Sequence, residues 1–360
     1  MTYTAAMIGV GEGEDSAGIG YNHAHSYWAV DGVELVACAD LVYERAEAFA
    51  AEFGLGADRA YGDYEAMLEE ARPDVVSVTV SPAAHAPITI GAARTGVPEA
   101  IHCEKPMADT YGAARRMAEV CWREDIQLTF NHQRRFADPW LEAADLLEAG
   151  EVGNLRRIEA AAPNLFDWGT HVVDLANMFA EEATAEWVLG NLDYRRESEY
   201  FGVPHEGQGL ATWAYDTGVH ALFSTGDAGG SGDGPDAGLV GAMHRLEGSA
   251  GTIEVNGEGS GRPPLRIRRD GESEWSRPDH ERTEPGDAWE RTIREVIAAL
   301  EADREPAVSS RRALAATEII MAVYESSRRR GRVDLPLEID DHPLVDMIER
   351  GEVTAWADEQ

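Results

Sequence analysis

The chain predicts a two-domain protein: an α/β Rossmann domain on a parallel sheet, then an α+β domain with a large, mostly antiparallel open sheet. Three observations carry this. Short apolar runs alternate with amphipathic stretches over the first third of the 360 residues, as in βαβ units. After about residue 135 the pattern becomes a succession of β-like runs broken by Gly and Asp turns. The length exceeds what one compact core usually serves, and 44% hydrophobic residues can fill two. The expected division is an α/β domain over 1–135, an α+β domain over 136–337, and an acidic tail over 338–360.

Ala5 to Val10 reads as a buried strand, and Val33 to Ala39 as a second that ends in Asp40. Tyr43 to Phe53 is helical by period and stops at Gly54. Val75 to Val80 is a strand between Pro73 and Pro82, and Ala100 to Cys103 runs straight into Glu104, Lys105 and Pro106. A helix starts near Asp109 or Thr110, and Leu128 to Asn131 closes the pattern as a strand. Catalytic loops of such sheets lie at the carboxyl ends of the strands, where Asp40, Ser81, Glu104, Lys105 and Asn131 fall.

In the second domain Pro139 to Ala149 is a helix ending at Gly150, and Leu155 to Ala161 is a strand. Trp187 to Val255 reads as the antiparallel sheet, with Gly226 to Gly238 an exposed, mobile loop. Asp287 caps a helix with Glu290 three positions on and Ile293, Val296, Ile297 and Leu300 on one face. Ser310 to Arg330 is a further helix. The helices of 287–330 are expected to pack back toward the first domain, and the tail from Glu338 shows no strong period.

The net charge is -35, from 66 acids against 31 bases, and the acids are spread along the chain. Nucleic acid and anionic membrane are poor partners for such a surface. Self-repulsion of this size is relieved by salt, since the Debye length falls to about 3 Å at 1 M. We read adaptation to the cytoplasm of a high-salt organism. No apolar run is long enough to span a bilayer and no basic-then-apolar leader opens the chain, so a soluble cytoplasmic protein is expected. Cys38, Cys103 and Cys121 have no metal-ligand spacing and read as buried thiols.

Of the 31 basic side chains only Lys105 is a lysine. Arginine replaces lysine as a solvated cation, but not where a compact ammonium with a movable pKa is needed. Lys105 is therefore a candidate for chemistry. Gly9 and Gly11 directly follow the first strand, where a dinucleotide fold needs a tight turn and close approach to a pyrophosphate. Glu14 stands where a third glycine would fall, and the chain continues to Gly18 and Gly20 before a helix-like stretch from about Asn22. Glu12, Glu14 and Asp15 are expected to bulge outward, leaving Gly18 and Gly20 at the helix N-terminus. Asp40 lies 20 residues after Gly20, placed to bind the ribose hydroxyls of NAD and to repel the extra phosphate of NADP. His23 and His25 read as loop or helix-start residues.

Together with Glu104, Lys105 and Pro106, the glycines, the stretch Ser77 to His85, the stretch Asp167 to Asp174 and the closing Ala316 to Ser326 resemble the Gfo/Idh/MocA family of NAD(P)-dependent oxidoreductases. The matching features span nearly the whole chain in order. The resemblance implies the two-domain fold, NAD as cofactor, a sugar or polyol substrate, and a homo-oligomer, dimer or tetramer, formed through the open sheet. It implies Lys105, Asp167 and His171 around the substrate and cofactor contacts from Ser81, Pro82, His85, Glu104 and Lys105, and it favours a cis bond before Pro106. The glycine loop is longer than the family's, and the link from Ala161 to Asp167 is shorter.

If Asp167 to Asp174 is helical, Asp167, His171 and Asp174 share a face, which offers a histidine base with flanking carboxylates. His171 would take the hydroxyl proton of a secondary alcohol, and Lys105 would donate a hydrogen bond to the same oxygen. Asp167 would bind a neighbouring hydroxyl or fix His171. The same trio could instead ligate a divalent metal, and His171 could be a core histidine satisfied by Asp174. Asn131, His132, Arg134 and Arg135 stand at a strand end where one could touch substrate, Arg135 with Phe136 equally serving interdomain packing. Trp168 could stack on a sugar ring or simply pack. Two other functions share the fold: a non-catalytic regulatory homologue, and a lyase- or glycosidase-like enzyme that uses bound NAD transiently.

Overall fold

The computed structural model describes residues 2–11, 18–194, 198–226, 241–257, 261–278 and 286–353. It divides into two compact units, Met1–Phe136 with Pro285–Leu314, and Ala137–Glu284 with Ala315–Gln360.

The first unit runs β1 (Tyr3–Ile8), α1 (Ile19–Ala29), β2 (Val33–Ala39), α2 (Tyr43–Glu52), β3 (Ala60–Tyr61), α3 (Tyr64–Ala71), β4 (Val75–Val78), α4 (Pro82–Arg94), β5 (Ala100–Cys103), α5 (Tyr111–Arg123) and β6 (Gln127–Phe130). Its strands pair in parallel in the order β3-β2-β1-β4-β5-β6, so the direction of winding reverses between β1 and β4. Alternate residues of β1 serve opposite cores. Ala5 and Met7 pack with Tyr27, Cys38 and Phe49, whereas Ala6 and Ile8 pack with Val76, Ile101 and Met117. Burial on both faces is why these strands read as continuous apolar runs. The two-residue β3 and the helix α3 after it went unmarked in the sequence, because two residues display no period. Helix α1 begins at Ile19, earlier than the expected Asn22.

The second unit contains α6 (Asp138–Glu148), β7 (Leu155–Ala162), α7 (Trp168–Phe179), β8 (Ala185–Asp193), β9 (Glu199–Tyr200), β10 (Val203–Pro204), β11 (Gln208–Tyr215), β12 (His220–Gly226), β13 (His244–Gly248), β14 (Gly251–Val255) and β15 (Leu265–Arg269). Then α8 (Ala288–Glu301) returns to the first unit, its N-cap Asp287 accepting the amides of Trp289 and Glu290. Helix α9 (Ser310–Arg329) begins in the first unit and continues in the second, which also holds β16 (Val333–Asp334) and α10 (Pro343–Glu349). The large sheet has the order β15-β14-β13-β7-β12-β11-β8-β16 and is antiparallel except where β12 joins β7.

Thr212 stands opposite both Leu189 and Leu222 in this sheet. The same row continues as an ionic ladder: Arg245 donates to Glu159 at 3.2 Å and to Glu254 at 2.8 Å, and Arg266 donates to Glu254 at 2.6 Å. The segment after Glu338 corrects the sequence reading, for it carries α10. Leu344 and Met347 bury one face of it, and Arg328 on α9 donates to Asp346 at 2.9 Å. Seven residues are too few to display a helical period, so only the pairing reveals them. Most of the expected loop from Gly226 to Gly238 lies outside the described residues.

Candidate active site

Gly9 follows β1 at φ +88°, and a Cβ there would lie 2.5 Å from Val80 Cγ1 and 3.0 Å from the Thr79 backbone. Only glycine meets both demands. Gly18 precedes α1 in the left-handed region, and Gly20 sits in the helix's first turn, where a Cβ would come within 2.9 Å of the Gly9 carbonyl. The β1 to α1 turn is thus kept clear of side chains at both ends, the form a diphosphate requires. Glu12, Glu14 and Asp15 lie outside the described residues. Gly11 borders the guanidinium of Arg45, whose Nη1 would lie 3.0 Å from a Cβ. Asp40 closes β2, its two carboxylate oxygens accepting the amides of Val10 at 3.0 Å and Val42 at 2.9 Å.

Beneath Lys105 lies a buried polar network. Glu104 Oε1 accepts from the His23 ring at 2.9 Å and from Asn131 Nδ2 at 2.5 Å, and its Oε2 accepts the Lys105 amide at 3.1 Å. His23 Nδ1 meets Ser77 Oγ at 3.0 Å, which in turn meets the Tyr27 hydroxyl at 2.8 Å. Trp289 lies edge-on against the His23 ring, their centroids 5.6 Å apart. Burial by itself would raise the Glu104 carboxyl, but the His23 ring, Lys105 and the Asn131 amide outweigh it and hold the carboxyl at about 2.

Of the two readings open for His23, loop or helix start, the structure gives the second: His23 is a buried member of α1, although His25 beside it is exposed. Asn131, expected to face substrate, is buried with its amide on Glu104. The Lys105-Pro106 bond is cis.

Ser81 is the N-cap of α4 and Pro82 its first residue. His85, one turn on, is fully buried, with Nδ1 2.8 Å from the Pro106 carbonyl and Nε2 3.0 Å from that of Val80. Burial lowers its pKa against the pull of those carbonyls. It therefore braces the Lys105-Pro106 turn from behind. Arg134 and Arg135 lie in a single 3₁₀ turn, Gln133–Phe136, with Arg135 buried and Arg134 half-buried.

In the second unit α7 starts at Trp168 with Asp167 as its N-cap residue. His171 and Asp174 fall one turn apart within it, and ten of its twelve residues are buried, which marks a core helix. Asp167 and Trp168 are half-buried at its start. The cap is supplied by a residue the sequence reading passed over: Asn164 Oδ1 accepts the amides of Asp167 at 2.7 Å and Trp168 at 3.2 Å. Glu206 fixes the preceding turn, accepting the Leu165 amide and the Tyr324 hydroxyl, both at 2.6 Å. Burial raises the Glu206 carboxyl. Further along α7, His244 Nε2 meets the Val172 carbonyl at 3.0 Å and the Tyr215 hydroxyl donates to Asn177 at 2.8 Å. Among the described residues no group of three or more His, Cys, Asp or Glu could hold a metal.

Residues 3–132 match the profile of GFO_IDH_MocA, an oxidoreductase family with an NAD-binding Rossmann fold. The chain is 27% identical over 208 residues to inositol 2-dehydrogenase of Salmonella typhimurium, a match covering 56% of this chain and 58% of that protein. It is 33% identical over 132 residues to D-apiose dehydrogenase of Paraburkholderia graminis, covering 37% and 34%. Its fold superposes on the crystal structure of aldose-aldose oxidoreductase from Caulobacter crescentus, complexed with glycerol, with a TM-score of 0.76, 19% identity and coverage of 93% and 100%.

Proposed function

We infer that this chain, which belongs to the Gfo/Idh/MocA family of oxidoreductases, moves hydride between a nicotinamide cofactor and a secondary hydroxyl or carbonyl of a sugar, polyol or sugar derivative. One observation carries the reading. The chain's only lysine stands at the carboxyl end of β5, above a buried carboxylate that accepts hydrogen bonds from a histidine, an asparagine and the lysine's own amide.

NAD, when bound, supplies the hydride acceptor. Gly9, Gly11, Gly18 and Gly20 would hold its diphosphate, and Asp40 its adenosine ribose, with preference over NADP. Ser81, Pro82 and Lys105 are the contacts assigned to its far end, while His85 and Glu104 hold that end in place from behind. His171 takes the proton of the substrate hydroxyl as its carbon is oxidised. Lys105 donates a hydrogen bond to the oxygen as negative charge builds on it. Asp167, Asp174, Arg134 and Trp168 are assigned to the remaining substrate contacts, Asp167 to a neighbouring hydroxyl or to His171.

The same reading places a second copy of the chain on the open sheet, where Leu189, Leu210 and Leu222 stand 42–50% exposed. It takes the acidic surplus as adaptation to a salt-rich cytoplasm. The test is NADH absorbance with a panel of polyols and aldoses in molar KCl, where charge repulsion is screened to about 3 Å. Net NADH with at least one polyol or sugar is expected. NAD binding without NADH from any member would turn the reading toward a regulatory or redox-neutral role.

A further inference from the structure

We propose that His342, with Tyr324 behind it, is a positioning residue of the reaction: through it the C-terminal helix α10 straps down the turn that sets Asp167 and Trp168 at the start of α7. This rests on the reading above, in which those two residues meet substrate. The approach to the turn is pinned at two consecutive residues. Leu165 gives its amide to Glu206 at 2.6 Å, and the ring of Phe166 meets that of His342 with centroids 5.6 Å apart. Both pins converge on Tyr324, whose hydroxyl donates to Glu206 at 2.6 Å and whose ring centroid stands 4.8 Å from that of His342. Phe166, Glu206, Tyr324 and His342 are all buried. Asn164 acts on the other end of the turn, its side chain accepting the amides of Asp167 and Trp168 and its carbonyl that of Gly169 at 2.8 Å.

His342 is itself held from behind. It is the N-cap residue of α10, whose Leu344 and Met347 are buried. Arg328 on α9 ties that helix down, donating to Asp341 and, at 2.9 Å, to Asp346, while Glu325 one turn away accepts from it at 2.6 Å. Neither ring nitrogen of His342 has a hydrogen-bond partner among the described residues, and burial, against the pull of Asp341, lowers its pKa to about 4. The ring is therefore neutral in the working range. A buried imidazole that makes no hydrogen bond contributes through its flat ring, here packed on Phe166 and Tyr324. Asp167 follows Phe166 directly, so a turn that slackens there carries the substrate contacts with it, and a misplacement of about 1 Å can cost about a hundredfold in rate.

Three measurements on the full chain test this in His342→Ala, His342→Phe and Tyr324→Phe: steady-state kinetics on the sugar or polyol that yields NADH, NAD titration, and hydrogen exchange of the peptide spanning 164–171. His342→Ala should lower kcat/KM for the sugar by about tenfold to a hundredfold, while the dissociation constant of NAD holds. His342→Phe, which keeps a ring, should recover most of that loss. Tyr324→Phe removes a single hydroxyl and should also lower kcat/KM. In His342→Ala and Tyr324→Phe the 164–171 peptide should exchange faster, by about tenfold, while helix α2 keeps its rate. Unchanged kcat/KM or unchanged exchange in these two variants overturns the proposal. So does a loss of NAD affinity as large as the loss in kcat/KM, which would mean general damage to the fold. If wild type yields no NADH with any sugar or polyol, the hydride reading fails by itself, and exchange decides the strap: a faster rate over 164–171 upholds its hold on the turn, and an unchanged rate overturns it.

Discussion

Replacing Lys105 by methionine is expected to lower kcat by about a thousandfold while NAD affinity falls far less. A preorganised donor aimed at a developing oxyanion contributes about 10² to 10³ in rate, and loss of a positioned proton donor can add to that. Methionine keeps the unbranched length of the side chain and removes only the ammonium, so packing around Pro106 survives. Arginine in this place should fail almost as badly, because its planar fork cannot take the position of a compact ammonium. His171→Asn should lower kcat by about 10² to 10⁴, the usual worth of a general base, with partial recovery as hydroxide rises. Steady-state kinetics on the substrate identified by NADH formation, read beside NAD titrations, separates these effects. Full activity in both variants would remove the proposed chemistry, whatever else the protein does.

The place of Lys105 at a strand end was legible in the sequence, yet nothing local showed what lies beneath it. Asp40 could be placed at the end of β2 because a strand end is a short-range signal. His23 reaches Glu104 across 81 positions and Asn131 reaches it across 27, and no periodicity links residues so far apart. One signal did exist. His23 shares a buried face of α1 with Ala24 and Tyr27, and a histidine on a buried face must find a partner. The acid that follows β5 was the natural one to ask about.

The second unit shows the same division. Its sheet was visible as successive β-like runs, whereas a helix over Asp167 to Asp174 entered only as a condition, which α7 meets from Trp168 on. The Asn164 cap was not, because its side chain acts on residues three and four positions on in a turn whose shape only the fold defines. Nor was Glu206, a buried acid 41 positions from the amide it holds and 118 from the hydroxyl it receives. Such groups are set by tertiary packing, which is where local reading of a sequence ends.

His23→Leu tests the network that the sequence hid. Leucine fills much of the ring's volume but gives Glu104 no hydrogen bond, and removing one partner of a buried pair typically costs 3–5 kcal/mol, of order. The depression of Glu104 to about 2 from 4.5 corresponds to about 3 kcal/mol in favour of its charged form. The sign follows from that direction. A carboxyl held below its unfolded value stabilises the fold above about 4.5, and the gain drains away as pH falls from there toward about 2. In the leucine variant burial dominates and the carboxyl moves upward instead, so the variant regains stability as Glu104 takes up its proton. The difference in unfolding free energy between wild type and variant should therefore be largest at neutral pH and shrink on acidification. Urea unfolding at fixed high salt across that range measures it. His23→Gln, whose amide can still donate to Glu104, should lose much less than His23→Leu. A difference that stays constant with pH would mean that His23 serves the fold by packing alone and has no hold on the charge beneath Lys105.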